Sequence, residues 1–157
     1  MLENCKTAQE RWGGVHRLID KWLNDRKQLI VQYYALSSCQ PLANDYNLGE
    51  AVSRLCEAMV DYCSVGHFEI YEQLINEAKE YDDGGLDLAR ELVPRLDQLT
   101  TRCVDFNDVY DQHCGLEDLA KLPADLSSIG EALEERFELE DQLIEKLHNI
   151  HRELATE

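Results

Sequence analysis

Apolar residues return at steps of three and four along almost the whole of this chain, a rhythm that one face of an α-helix requires and a β-strand does not tolerate. In the first stretch the series is Trp12, Val15, Ile19, Trp22, Leu29, Tyr33 and Leu36, with Arg26 its one polar member. It predicts a helix from about Glu3 to Leu36, with Gly13-Gly14 as a place for it to break or kink. Ser37 to Asn47, which contains Pro41 and several turn formers, reads as a connecting loop. A second helix is expected from near Leu48, with Val52, Leu55, Met59, Cys63 and Ile70 on its apolar face.

Asp82-Asp83-Gly84-Gly85 is the clearest turn signal. After it, Ala89, Leu92, Leu96, Leu99, Cys103, Phe106 and Tyr110 outline a third helix, with a kink or restart expected at Pro94. Gly115 to Pro123 reads as another connection. A last helix is predicted from near Asp125 to about Leu154, its stripe being Leu126, Ile129, Leu133, Phe137, Leu143 or Ile144, Leu147 and Ile150. Four long amphipathic segments and three connections predict an all-α antiparallel, up-down helical bundle, with residues 1–157 forming one domain.

Composition bears on the partner. Asp and Glu number 32 against 15 Lys and Arg, a formal charge of −17. Such a field repels nucleic acid and anionic lipid, so neither direct nucleic-acid binding nor membrane binding is expected; it favours encounter with a basic protein, or serves solubility alone. No apolar run has the length of a membrane span and the first residues carry no signal-peptide core, so a cytoplasmic location is expected. The cysteines at 5, 39, 56, 63, 103 and 114 then read as reduced thiols, and none forms a Cys-x-x-Cys pair. Cys56, Cys63 and Cys103 fall on apolar helical positions.

No catalytic, metal or cofactor constellation emerges. A di-iron bundle needs two Glu-x-x-His motifs on different helices; the chain has one, Glu145-Lys146-Leu147-His148, which reads as a solvated surface pair. His148 and His151 offer at most a weak surface metal site. Cys63 and His67 lie four residues apart, but with no oxyanion-binding loop beside them they read as packing residues. The expectation is therefore a non-enzymatic protein without cofactors. Its alternatives are an acidic helical adaptor for some other basic protein, or a metal-carboxylate bundle.

The segment from Val60 to Glu72 stands out. At 100° per residue Glu57, Asp61, Ser64, Phe68 and Glu72 form one narrow stripe, facing away from Val52, Leu55, Met59, Cys63 and Ile70. Phe68 is then an aromatic anchor on an acidic outer face. If Gly66 bends the helix, however, Phe68, Tyr71, Ile75 and Ala78 form the core face of a following helix. Periodicity leaves both readings open for Phe68, while Asp61 and Ser64 face solvent in either.

The same segment carries a resemblance. Val60-Asp61-Tyr62, Ser64, Gly66-His67-Phe68 and Ile70-Tyr71-Glu72 resemble the signature of the Rsd/AlgQ anti-sigma proteins. So do Ile129-Gly130-Glu131-Ala132-Leu133-Glu134, Arg136-Phe137 and Leu139-Glu140-Asp141 in the last helix; Arg11-Trp12-Gly13-Gly14-Val15-His16 resembles the pseudomonad AlgQ branch in particular. The resemblance implies a monomer that binds domain 4 of the housekeeping sigma factor one to one, a basic helix-turn-helix module. It implies occlusion of the surfaces sigma uses for core RNA polymerase and the promoter, in favour of alternative sigma factors as growth slows, with links to alginate and siderophore control. Carried over residue by residue, the sigma contacts fall on Asp61, Ser64 and Phe68, with Glu57 and Glu72 extending the stripe.

Overall fold

The computed structural model describes residues 8–37, 45–110 and 116–152, and among them there is no strand. The helices are α1 (Ala8–Ser37), α2 (Asp45–Val65), α3 (Tyr71–Tyr81), α4 (Gly85–Tyr110) and α5 (Leu116–Leu147). A π-helical turn, Gly66–Ile70, joins α2 directly to α3, and a 3₁₀ turn, Asn149–His151, follows α5. The architecture is thus four long rods, one of them α2–α3.

Neighbouring rods run antiparallel, as the residue pairs show. Along α1 and α5, the Trp12 indole donates to the His148 carbonyl at one end and the Tyr33 hydroxyl to the Leu126 carbonyl at the other. Between α4 and α5, Arg102 meets Ser128 and Arg95 meets Glu135. Trp22 meets Tyr62 across α1 and α2, and the Cys56 thiol reaches the Tyr110 carbonyl across α2 and α4. Going round the bundle, the order is α1, α2–α3, α4, α5. The buried residues form one cluster fed by every rod, centred on Trp22, Leu55, Met59, Ile70, Leu74, Leu96 and Leu99. Cys56, Cys63 and Cys103 are buried free thiols; Cys5, Cys39 and Cys114, like most of the Ser37–Asn47 connection, lie outside the described residues.

The turn between α3 and α4 is built from its own residues. Asp82 takes up the left-handed conformation (φ 44°) and its amide donates to the Ala78 carbonyl, while Gly84 sits at φ 93°. That φ is where glycine costs least. Gly85 follows with Leu147 pressed against its α-carbon, so the turn seats α4 on the end of α5.

Several sequence expectations require correction. Gly13-Gly14 does not interrupt α1, and Pro94 does not end or restart α4. Trp12, Val15, Leu92 and Leu96 are buried on either side, and that packing outweighs local propensities of about 1 kcal/mol for Gly and 3 kcal/mol for Pro. Residues 116–123 are helix rather than connection: Leu122 is buried, the Tyr110 hydroxyl reaches the Asp118 carbonyl (3.0 Å), and α5 runs through Pro123. Its far end stops earlier than predicted, at Leu147. The 3₁₀ turn changes the period there, so His148 and His151 turn inward while Ile150 is left 57% exposed.

The surface reading of His148 and His151 is therefore overturned. The His148 ring stacks on Trp12 (4.3 Å), and its Nδ1 lies 2.9 Å from the Glu77 carboxylate. His151 Nε2 lies 2.6 Å from Asp83, and its ring stacks on Tyr81. Glu145 stays exposed and pairs with Asn149 instead. Among the described residues no group of three metal-ligating side chains comes together. No helix among them is long and apolar enough to cross a membrane.

Candidate functional site

Both readings of the segment around Gly66 contain part of the answer. Gly66 is buried, with α1 packed so closely that a Cβ there would stand 2.9 Å from the Trp22 ring and 3.1 Å from Arg136 Nη2. At this contact the helix widens into a π turn, in which the Tyr71 amide donates to the Gly66 carbonyl. Inserting one residue into a turn rotates the downstream face by about 100°. Tyr71, Leu74 and Ala78 accordingly continue the core, with Ile75 half-buried, while Phe68 stays outside. Its ring is 70% exposed and meets only the edge of His67 among the aromatic contacts described, at 4.9 Å.

Glu57, Asp61 and Ser64 are exposed on α2 and Phe68 on the π turn that follows it; Glu72, also exposed, lies beyond that turn in α3, where the added residue carries it off the line expected of an unbroken helix. Beside Ser64 and Phe68, α2 and α4 enclose a groove of about 380 Å³. Ser64, His67 and Phe68 form one wall, Asp97, Thr101 and Val104 the other. Val60 and Val104 are exposed at its rim (37% and 47%), so apolar surface continues from Phe68 across to α4. Sequence reasoning missed the α4 wall: Asp97, Thr101 and Val104 lie on the solvent side of a regular helix, and nothing in their local pattern pairs them with α2.

Cys63 and His67 do not act together. His67 is exposed, with Nδ1 3.6 Å from Asp97 across the groove. The Cys63 thiol points inward, where it accepts a hydrogen bond from Arg136 Nη1 (3.0 Å). The Cys103 thiol donates to Cys63 and draws its titration down, with burial opposing and Arg136 assisting.

Under this exposed face lies a polar layer inside the apolar core. Arg136, 0% exposed, donates from Nη1 to Thr100 Oγ1 (2.6 Å) and from Nε to Glu140 Oε2 (3.0 Å). The Tyr62 and Tyr71 hydroxyls donate to the two oxygens of Glu140 at 2.7 and 2.5 Å. Arg26 Nε donates to Tyr62 Oη (2.9 Å), and its Nη1 reaches Asp141 (2.6 Å). Burial pushes the Glu140 carboxyl up; Arg136 and the two phenols oppose the shift. Burial, with Glu140 adding to it, pushes the Tyr62 and Tyr71 hydroxyls up as well, so they remain donors. Removing one member of such a layer leaves a buried polar group unpaired, and its members join α1, α2, α3, α4 and α5. Arg26, the lone polar member of the α1 series, belongs to this layer.

The chain's relatives agree with its motifs. The family described as "Regulator of RNA polymerase sigma(70) subunit, Rsd/AlgQ" matches residues 1–148. A protein of Pectobacterium atrosepticum named "Regulator of sigma D" is 37% identical over 155 residues, covering 95% of this chain and 99% of its own length. Proteins of the same name from Salmonella paratyphi B and an Enterobacter species are each 39% identical over 147 residues, covering 92% of this chain and 90% and 88% of their own lengths. No solved structure gives a significant match. A family match over nearly the whole chain, with relatives of near-equal length, leads to one conclusion: the chain belongs to the Rsd/AlgQ family of regulators of the RNA polymerase sigma(70) subunit.

Proposed function

We propose that this protein is an anti-sigma factor that acts by binding rather than catalysis, covering domain 4 of the housekeeping sigma factor in a one-to-one complex. The observation that carries the proposal is a 70% exposed Phe68 following the exposed carboxylates Glu57 and Asp61, on a chain of this family. Asp61 supplies a charge-assisted hydrogen bond to an arginine of the basic partner, Ser64 a neutral one, and Phe68 the apolar anchor. Glu57 and Glu72 extend the acidic field at either end and act mainly on the rate of encounter. Occlusion of sigma leaves core polymerase to alternative sigma factors, and this requires a cytoplasmic protein.

The test is a pull-down from stationary-phase lysate with the intact protein as bait, repeated with Asp61→Ala. Housekeeping sigma factor is expected in the first eluate and strongly reduced in the second, with circular dichroism of the variant unchanged. Absence of sigma from the first eluate refutes the proposal.

A further inference from the structure

A second groove, of about 760 Å³, runs between α1 and α5, on the side of the bundle away from the α2–α4 face. Its floor is aromatic. Tyr33 lies across α5 at Gly130, where a Cβ would stand 2.1 Å from the Tyr33 hydroxyl oxygen, so the floor exists because residue 130 has no side chain. Tyr34, 64% exposed, meets Tyr33 edge-on at 5.7 Å, and Phe137 lines the groove from α5. One wall is a stripe on α5: Glu131, Glu134, Glu138 and Asp141, spaced three, four and three residues apart and all exposed. The α5 lining extends from Ser127 to Asp141, which at 1.5 Å per residue is roughly 20 Å, the length of about 14 helical residues.

Charge selects among the possible occupants. A second copy of this chain brings a like charge of −17. The segments outside the described residues are 1–7, 38–44, 111–115 and 153–157, and their only Lys or Arg is Lys6, so none offers a basic face. The complement of an aromatic floor beside an acidic wall is a helix with an apolar ridge flanked by Lys or Arg. Arginine on such a helix also gains from lying over Tyr34 or Phe137.

We propose that the α1–α5 groove docks a basic amphipathic helix of another protein, and that this docking is independent of the α2–α4 face. A helix of that length covers less than the roughly 800 Å² per partner of a standard interface, the size class of transient complexes. The proposal goes beyond the anti-sigma reading and does not depend on it.

The probe is a labelled synthetic 14-residue helical peptide with a leucine ridge flanked by lysines, titrated by fluorescence anisotropy at physiological salt. A scrambled peptide of the same composition serves as the control. The ridge peptide is expected to bind at least tenfold more tightly than the scramble. Joint Glu134→Lys and Glu138→Lys is expected to weaken it at least tenfold, Tyr34→Ala about fivefold, and Asp61→Ala not at all. Equal binding of the two peptides reduces the effect to net charge and overturns the proposal. So does full binding by the charge-reversed variant, or loss on Asp61→Ala, which would move the peptide to the other face. A concentration-dependent dimer dispersed by Glu134→Lys overturns it in favour of a second copy. Sigma domain 4 binding, measured separately on the same variants, reports on the α2–α4 reading alone.

Discussion

Phe68→Ala separates the two roles an aromatic can have on a helix. The ring is 70% exposed, so folding removes only about a third of it from water. Full burial of a phenylalanine is worth about 2–3 kcal/mol, so the truncation should cost the fold less than about 1 kcal/mol. For a protein of this size that is a fall in Tm of under about 4 °C. If a partner covers the exposed remainder, the loss from the complex is about 2 kcal/mol, or roughly 30-fold in Kd. Calorimetric titration with purified sigma domain 4, paired with a thermal melt, reads both numbers on one preparation. A Tm fall of 8 °C or more with unchanged affinity would refute the reasoning, because Phe68 would then be packed rather than presented. An unchanged Kd with an unchanged Tm would remove Phe68 from the interface.

Other perturbations test the support beneath that face. Arg136→Met leaves the Glu140 carboxylate buried with only two phenols and, 3.6 Å away, Arg26; a loss of about 3–5 kcal/mol is expected in urea unfolding, partly recovered by adding Glu140→Gln. Gly66→Ala forces a methyl against Trp22 and Arg136 and should cost about 1–3 kcal/mol, seen as a lower urea midpoint at constant slope. The hydrogen bond to His151 holds the Asp83 carboxyl below its ordinary value of 3.8. A depressed acid contributes stability that is complete above its unfolded value and lost as pH falls through its folded one. The Tm gap between wild type and Asp83→Asn should therefore be widest near neutrality and close on acidification below about pH 4; a gap independent of pH would rule out this linkage.

Much of this molecule was legible in periodicity. The apolar series of α1 and α4 named almost every residue those helices bury, because a helix facing a core repeats its face every 3.6 residues whatever it packs against. The exposure of Glu57, Asp61 and Ser64 was legible for the same reason, whereas the π turn that displaces Glu72 from their line was not. Pro123 misled because its local cost is visible in sequence, whereas the burial of Leu122 that offsets it is not. His148 misled because its apolar neighbour Trp12 and its carboxylate partner Glu77 arrive from two other helices.

Taken alone, then, the order of residues determined the helical class, the long rods and the exposed acidic positions of α2, all consequences of local spacing and charge. Only the tertiary structure decided what happens at Gly66. There the approach of Trp22 from α1 and Arg136 from α5 coincides with a π turn, and that turn sends Tyr71 inward while leaving Phe68 in solvent. The α4 wall beside Phe68 and the aromatic groove between α1 and α5 were settled at the same level. Each joins residues far apart in the chain, and which pairs meet depends on how the rods pack rather than on what any one rod prefers.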